Sequence, residues 1–275
     1  MRQGECVAFL QWCLPRLGMR WEGFRKVRSQ VCKRVARRVR ELGLDSLDAY
    51  RLHLSEHREE WRHLDGLCRV TISRFFRDRR VFEVVAGEVL PALAANARGR
   101  LRCWSCGCAS GEEAYTVSIA WHLRVAERSP DLDLEVVATD IDAHVLERAG
   151  KGLYPEGCLR DLPQAWRDQA FVGIGEEWQV GEHFGRCVEW RQEDVRQAAP
   201  RGVFDLVMCR NLAFTYYALP VQAQVLRRLA DAVRPGGALV VGKRECLPPG
   251  DTAFEPWIEG LGVYRRRAPP STRRS

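Results

Sequence analysis

The sequence predicts an α/β protein, a doubly wound sheet preceded by an all-helical segment. Three observations carry this expectation. Phe204–Met208 is a buried apolar run that leads into the polar turn Cys209-Arg210-Asn211, then a helix, an Arg-Pro-Gly-Gly turn (234–237) and a second apolar run, Ala238–Val241. From Arg100 onward, short apolar runs alternate with stretches of helical period, the pattern of a sheet wound with helices. Residues 1–70 contain helical patterns and no convincing strand.

Taken in order, the clearest N-terminal element is Phe24–Leu42. Phe24, Val27, Val31, Val35, Val39 and Leu42 fall on one helical face, and Lys26, Lys33, Arg37 and Arg40 fall on the opposite one. Gly43 stands where a helix C-cap glycine would, and Asp45-Ser-Leu-Asp48 reads as the next helix start. Val70–Asp78 reads as a linker whose Phe75 and Phe76 are packing anchors. Leu101–Ser105 is a strand, Glu112–Val125 a helix, Leu134–Thr139 a strand and Ala143–Gly150 a helix. Residues 155–193 are mixed, with strand-like pieces at Trp178–Val180 and Cys187–Arg191. Phe204–Met208, Val221–Val233 and Ala238–Val241 complete the alternation, and the tail Arg265–Ser275 is expected to fray.

Composition narrows the function classes. With 275 residues, 46% hydrophobic and 29% charged, the chain has the means to bury a core and does not have a disordered composition. No apolar run approaches bilayer length, and the N-terminus lacks a signal-peptide core, so a cytoplasmic protein is expected. The 11 cysteines are accordingly expected to be reduced and mostly buried. Cys103, Cys106 and Cys108 have no second Cys pair or paired His at zinc-ligand spacing, so they read as lining a strand and the glycine loop after it, with no metal. Residues 1–80 hold 19 Lys/Arg against 10 Asp/Glu, while the rest of the chain is slightly acidic, so the basic character belongs to the N-terminal segment and speaks to partners.

Two constellations carry chemistry. Trp104–Glu113 runs from a strand through Gly107 and Gly111 into a helix, but it matches neither the dinucleotide fingerprint nor the phosphate loop. Glu112 and Glu113 at the helix start would repel a phosphate and suit a cation. Asp140, at the end of the following strand in Val136–Asp142, is placed to accept hydrogen bonds from a ribose diol. A nucleoside without phosphates and with positive charge meets both demands, and S-adenosylmethionine is such a molecule. In an open α/β sheet ligands sit at the carboxyl ends of strands, which is where Arg210 and Asn211 lie.

The chain resembles the chemotaxis receptor methyltransferases, the CheR type. The resemblance rests on the basic helix ending Arg37–Leu44, the Thr-x-Ser-x-Phe-Phe-Arg segment (71–77), Ser110-Gly-Glu-Glu113, Thr139-Asp-Ile-Asp142, Gly152-Leu-Tyr154, Cys209-Arg-Asn211 and the Arg-Pro-Gly-Gly turn, in that order. It implies S-adenosylmethionine as cofactor, surrounded by Thr71, Ser73, Arg77, Glu113, Asp140, Asp194, Val195, Arg210 and Asn211. Asp140 would lie near the ribose, Asp194 and Val195 at the adenine, and Arg77 at the methyl-transfer centre. It also implies an N-terminal domain over 1–70, a methyltransferase domain over 71–275 with a linker at 71–85, and a small β-subdomain inserted at about 160–192. The implied reaction is esterification of receptor glutamates, with the basic face Lys26, Lys33, Arg37 and Arg40 meeting an acidic helical region of the receptor. A different nucleophile, or a weakly catalytic cofactor-binding module, are the alternatives.

Two departures stand on the substrate side. The family carries a tyrosine four residues after the asparagine, where this chain has Thr215 with Tyr216 beside it, so either residue is a candidate for that catalytic contact. Where the family usually has His-Ser before a glutamate, this chain has Lys243-Arg244 before Glu245.

Overall fold

The strand order of the main sheet places the site before any side chain is considered. The computed structural model describes residues 3–268, and the chain forms two units. One gathers the chain up to Thr71 together with Thr215–Gln222; the other gathers Ile72–Phe214 and the chain from Ala223 onward.

The first unit is helical: α1 (Gln3–Cys13), α2 (Trp21–Phe24), α3 (Arg28–Glu41), α4 (Leu47–Glu56) and α5 (Arg58–Leu67). Val31, Val35 and Val39 recur at four-residue spacing and are buried, while Lys33, Arg37 and Arg40 are exposed. The expected single helix is broken at residues 25–27, so Lys26 sits in a turn and does not share the face of α3. Inside the unit, Arg38 grips the buried Glu60 with two hydrogen bonds of 3.0 and 2.7 Å, and Tyr50 Oη donates to the same carboxylate at 2.7 Å. Burial pushes the Glu60 carboxyl up, but these two donors outweigh it and leave the group below the usual range. Ser46 caps α4 by accepting the Ala49 N–H at 3.1 Å. The expectation of reduced thiols fails here, because Cys6 on α1 and Cys32 on α3 form a disulfide. Spacing concealed that pair, since it is the packing of two helices 26 residues apart in sequence that brings the sulfurs together.

Residues Thr215–Gln222 fold into this first unit. Tyr217 bridges to Met19, the Arg20 N–H donates to Tyr216 O at 2.9 Å, and the Tyr216 ring packs edge-on to Phe24 at 5.1 Å. Gly23 makes this possible: a Cβ there would stand 2.2 Å from Thr215 O.

The second unit holds strands β1 (Arg100–Cys106), β2 (Asp133–Asp140), β3 (Leu153–Pro155), β4 (Phe171–Ile174), β5 (Glu177–Val180), β6 (Val188–Gln192), β7 (Phe204–Cys209), β8 (Val233–Val241), β9 (Phe254–Ile258) and β10 (Val263–Arg266). The seven-stranded sheet has the order β6-β2-β1-β7-β8-β10-β9. The first five run parallel, and β10 is antiparallel to both of its neighbours. Its helices are α6 (Arg79–Val84), α7 (Leu90–Ala94), α8 (Glu112–Arg124), α9 (Ala143–Lys151), α10 (Gln164–Ala170), α11 (Glu182–Gly185), α12 (Ala213–Tyr216) and α13 (Leu219–Ala232), the last two reaching into the 215–222 excursion. β7 is buried at every position, as a central parallel strand covered on both faces must be.

The doubly wound sheet with its helical N-terminal region and small added β-sheet is therefore the fold. The added sheet has three strands in the order β3-β5-β4 and spans Leu153–Val180. The expected insert at about 160–192 starts too late and ends too late: Leu153–Pro155 belongs to it, whereas Val188–Gln192 pairs with β2 in the main sheet. Arg265 and Arg266, expected in a frayed tail, lie in β10 opposite β8 and β9, and the rest of that tail from 269 is outside the described residues.

Candidate active site

Strand order reverses between β1 and β7, and this opens a crevice at their carboxyl ends. β1 leads there through Ser105 and Cys106 into the loop 107–111, and β7 leads there through Cys209 into Arg210 and Asn211. The loop is pinned to the tip of β2: the N–H groups of Gly107 and Cys108 both donate to Thr139 O, at 2.8 and 3.0 Å. The Ala109 N–H donates to Asp140 Oδ2 and the Asp142 N–H to Asp140 Oδ1, each at 3.0 Å, so both oxygens of the carboxylate are fixed at the strand end.

Gly111 has φ +91°, and a Cβ there would stand 2.6 Å from the Trp190 ring and 2.9 Å from Ala149 Cβ. The demand at Gly111 is close packing of loop on protein.

Arg210 organises the crevice. It is 7% exposed, and its guanidinium reaches Asp78 Oδ2 at 2.8 Å, Arg77 O at 2.7 Å and Glu113 Oε2 at 3.2 Å, with Cζ 4.8 Å from the Phe82 ring centre. Ser105 Oγ donates to the other Glu113 oxygen at 2.8 Å. Burial pushes the Glu113 carboxyl up, and the charge of Arg210 with the Ser105 and Arg210 hydrogen bonds only partly offsets this. A carboxylate held by two donors keeps further lone pairs for a cationic ligand.

The linker reaches Arg210 because Phe75 and Phe76 anchor it as expected. Phe75 packs edge-on to Tyr154 and Phe171 at 4.7 and 5.0 Å, and Phe76 packs on Trp166 at 5.1 Å. Both rings are buried, Phe76 and Asp78 have positive φ, and the turn thus presents the Arg77 carbonyl and Asp78 carboxylate to Arg210. The Arg77 side chain donates to Ile72 O at 2.7 Å. Ser73 is hydrogen-bonded to the buried Glu112, whose carboxyl burial raises above its ordinary value.

Asn211 sits at φ +56°, and its N–H donates to Glu245 Oε2 at 2.7 Å; the same oxygen accepts the Gly242 N–H at 2.6 Å. At the tip of β6, Asp194 is engaged by Arg196, with an ion pair of 2.9 Å and the backbone N–H of Arg196 at 2.9 Å. Val195 next to it is buried. Glu193 Oε2 beside them is buried and has no hydrogen-bond partner among the described residues.

The structure thus joins Arg77, Glu113 and Arg210 into one network, places Asp140, Asp194 and Val195 at the tips of neighbouring strands, and sets Asn211 at the tip of β7. Thr71, Thr215 and Tyr216 belong to the first unit. Sequence reasoning missed Asp78, Ser105, Glu193 and Glu245 as site residues. Asp78 had a signal, since an acid beside the arginine of the 71–77 segment is placed to pair with a second arginine. Ser105 and Glu193 had none, because their roles come from strands adjacent in space only. Cys103, Cys106 and Cys108 are all buried along β1 and its loop. Burial raises all three thiols, for Cys106 with a hydrogen bond shared with Cys209 in addition. A cavity of about 770 Å³ opens at the other end of the sheet, lined by Arg100 and Asp133 at the amino ends of β1 and β2, and is separate from this crevice.

The residues at the crevice fit a cationic nucleoside. Glu113, Asp140 and the unpartnered Glu193 oxygen are all acceptors, and no phosphate-binding lysine follows the glycine loop. The fold and this set of acceptors define an S-adenosylmethionine-dependent methyltransferase. Residues 71–259 match the family model described as CheR methyltransferase, SAM binding domain, and the chain belongs to that family. The chemotaxis protein methyltransferase of Listeria innocua is 33% identical over 187 residues, covering 68% of this chain and 70% of that one. Chemotaxis protein methyltransferase 2 of Pseudomonas aeruginosa is 32% identical over 221 residues, covering 78% and 77%. Among solved structures, N-methyltransferase NodS from Bradyrhizobium japonicum superposes with a TM-score of 0.38 and 14% identity over 70% of this chain and 97% of that one.

Proposed function

We infer that this chain esterifies glutamate side chains of a chemoreceptor-like signalling protein in the cytoplasm. The observation that carries the reading is that Glu113 and Asp78, the carboxylates beside Arg210, are both held by it. Carboxylates paired in this way are poor general bases, and a nucleophile that is already ionised at neutral pH, as a glutamate carboxylate is, needs none. When bound, the cofactor would supply an electrophilic methyl group on a sulfonium; its transfer to a carboxylate oxygen would break the sulfur–methyl bond and leave a neutral thioether.

The chain's own residues bind and orient. Glu113 faces the positive charge, Asp140 accepts from the ribose, and Glu193, Asp194 and Val195 flank the adenine. Ser73 and Asn211 complete the cofactor side, with Thr71 at the start of the segment. Arg77, half-buried and hydrogen-bonded to the Ile72 carbonyl of its own linker, turns its fork to the incoming carboxylate by a charge-assisted pair. Attack of an anion on a cation neutralises charge, so orientation and exclusion of water do the work. In the first unit, the exposed Lys33, Arg37 and Arg40, with Lys26 in the preceding turn, offer positive charge to an acidic helical region of the receptor. No helix among the described residues is long and apolar enough to cross a membrane.

The test is transfer of radiolabelled methyl from S-adenosylmethionine to native membranes, followed by mild alkali. Methanol release identifies a methyl ester. Label that survives alkali assigns another nucleophile and overturns the reading, and cofactor binding without any label favours a binding module. Arg77→Ala should bind cofactor and lose most transfer.

A further inference from the structure

The residues 242–245 form a tight turn at the end of β8. The Glu245 N–H donates to Gly242 O at 2.8 Å, and Glu245 Oε2 accepts the N–H groups of both Gly242 and Asn211, at 2.6 and 2.7 Å. Glu245 is 7% exposed, so this one carboxylate locks the tips of β7 and β8 together from inside. Asn211 lies flat on the turn: a Cβ on Gly242 would stand 2.3 Å from its Nδ2. The two corner residues of the turn are Lys243 and Arg244, both exposed, and neither has an ion-pair partner among the described residues. A rigid support therefore holds two uncompensated cations beside Asn211 at the mouth of the crevice.

We propose that the Lys243–Arg244 turn selects the substrate by binding an acidic side chain next to the glutamate being methylated. The proposal rests on the reading that a glutamate carboxylate is the acceptor, and it adds what flanks it. A carboxylate that enters the crevice brings its neighbours past Asn211, and the turn is the adjacent surface. Fixed cations draw an acidic neighbour without ordering a loop, because Glu245 has already ordered it. Each exposed contact of this kind is worth roughly a threefold change in binding, so about tenfold for the pair, fading as salt rises.

The test uses the full chain saturated with S-adenosylhomocysteine and a fluorescent peptide carrying a Glu-Glu pair, compared with a twin carrying Gln-Glu. Wild type should bind the Glu-Glu peptide about tenfold more tightly at low salt. Lys243→Gln with Arg244→Gln should remove that preference and leave affinity for S-adenosylhomocysteine unchanged. Arg98→Gln with Arg128→Gln removes the same charge from exposed positions just before β1 and β2, and should keep the preference. A preference that survives in the turn variant, or wild type that treats the two peptides alike, overturns the proposal. Alkali-labile methyl is measured on the same peptides. Its absence while the binding preference holds refutes esterification and leaves the selection by the turn standing.

Discussion

Arg210→Met isolates the residue that holds the crevice together. The methionine keeps an apolar stem against Phe82, from whose ring centre the guanidinium carbon now stands 4.8 Å, and removes the fork. Glu113, with 12% of its side chain exposed, is then left as a buried carboxylate with Ser105 alone. Removing one partner of a buried pair costs about 3–5 kcal/mol. Asp78 has 30% of its side chain exposed, so water replaces its lost partner and adds at most about 1 kcal/mol. The expected loss is about 4 kcal/mol, a large share of the roughly 5–15 kcal/mol that folded domains possess. Adding Glu113→Gln removes the stranded charge, so the double variant should recover about 2 kcal/mol relative to the sum of the single losses. Because the chain has two units, one global melting curve would mix them, and the loss is read by hydrogen exchange of the Val207 and Val240 amides in adjacent strands β7 and β8. A loss below about 1 kcal/mol, or strict additivity with Glu113→Gln, would refute the assignment of Arg210 as the organising charge.

Three further outcomes follow from the same geometry. Gly111→Ala should cost about 2 kcal/mol or more and weaken cofactor binding, since it combines φ +91° with a 2.6 Å approach to Trp190; hydrogen exchange of the same Val207 and Val240 amides checks the first and calorimetric titration with S-adenosylhomocysteine the second. Acid should act at two places with opposite signs. The raised Glu113 carboxyl takes up its proton at a higher pH than an ordinary carboxylate does, so cofactor affinity should fall early as pH is lowered and Glu113→Gln should lack that step, while this group's own effect on stability favours the acid side. The depressed Glu60 carboxyl contributes stability that is present above its unfolded value and lost as pH falls through the folded one, so Glu60→Gln should flatten the acid limb of unfolding in the first unit, followed by exchange at Val35. Reduction of Cys6–Cys32, separated by 26 residues, should destabilise the first unit by about 3 kcal/mol, measured as the shift of its urea midpoint with and without reductant.

The sequence by itself determined the layered fold and the end of the sheet where the site lies. β1, β2, β7 and β8 announce themselves because a strand buried on both faces must be apolar along its length, and the polar residues that follow each run must then mark strand ends. Glu113, Asp140, Arg210 and Asn211 were legible for that reason. Phe75 and Phe76 were legible as anchors, because large apolar rings between charged residues have to be buried somewhere.

Only the tertiary structure decided the rest, and the physical reason is sequence distance. Asp78 meets Arg210 across 132 residues and Glu245 meets Asn211 across 34, and neither contact leaves a periodic trace. Lys26 left the basic face because three residues turn the chain before α3 begins, a break that apolar spacing alone does not reveal. Val188–Gln192 went to the main sheet because its backbone hydrogen bonds are satisfied by β2, and Thr215–Gln222 joined the helical unit because the close approach of Gly23 admits its backbone. Local pattern sets what each segment can become; which partner satisfies its hydrogen bonds and charges is a property of the folded chain.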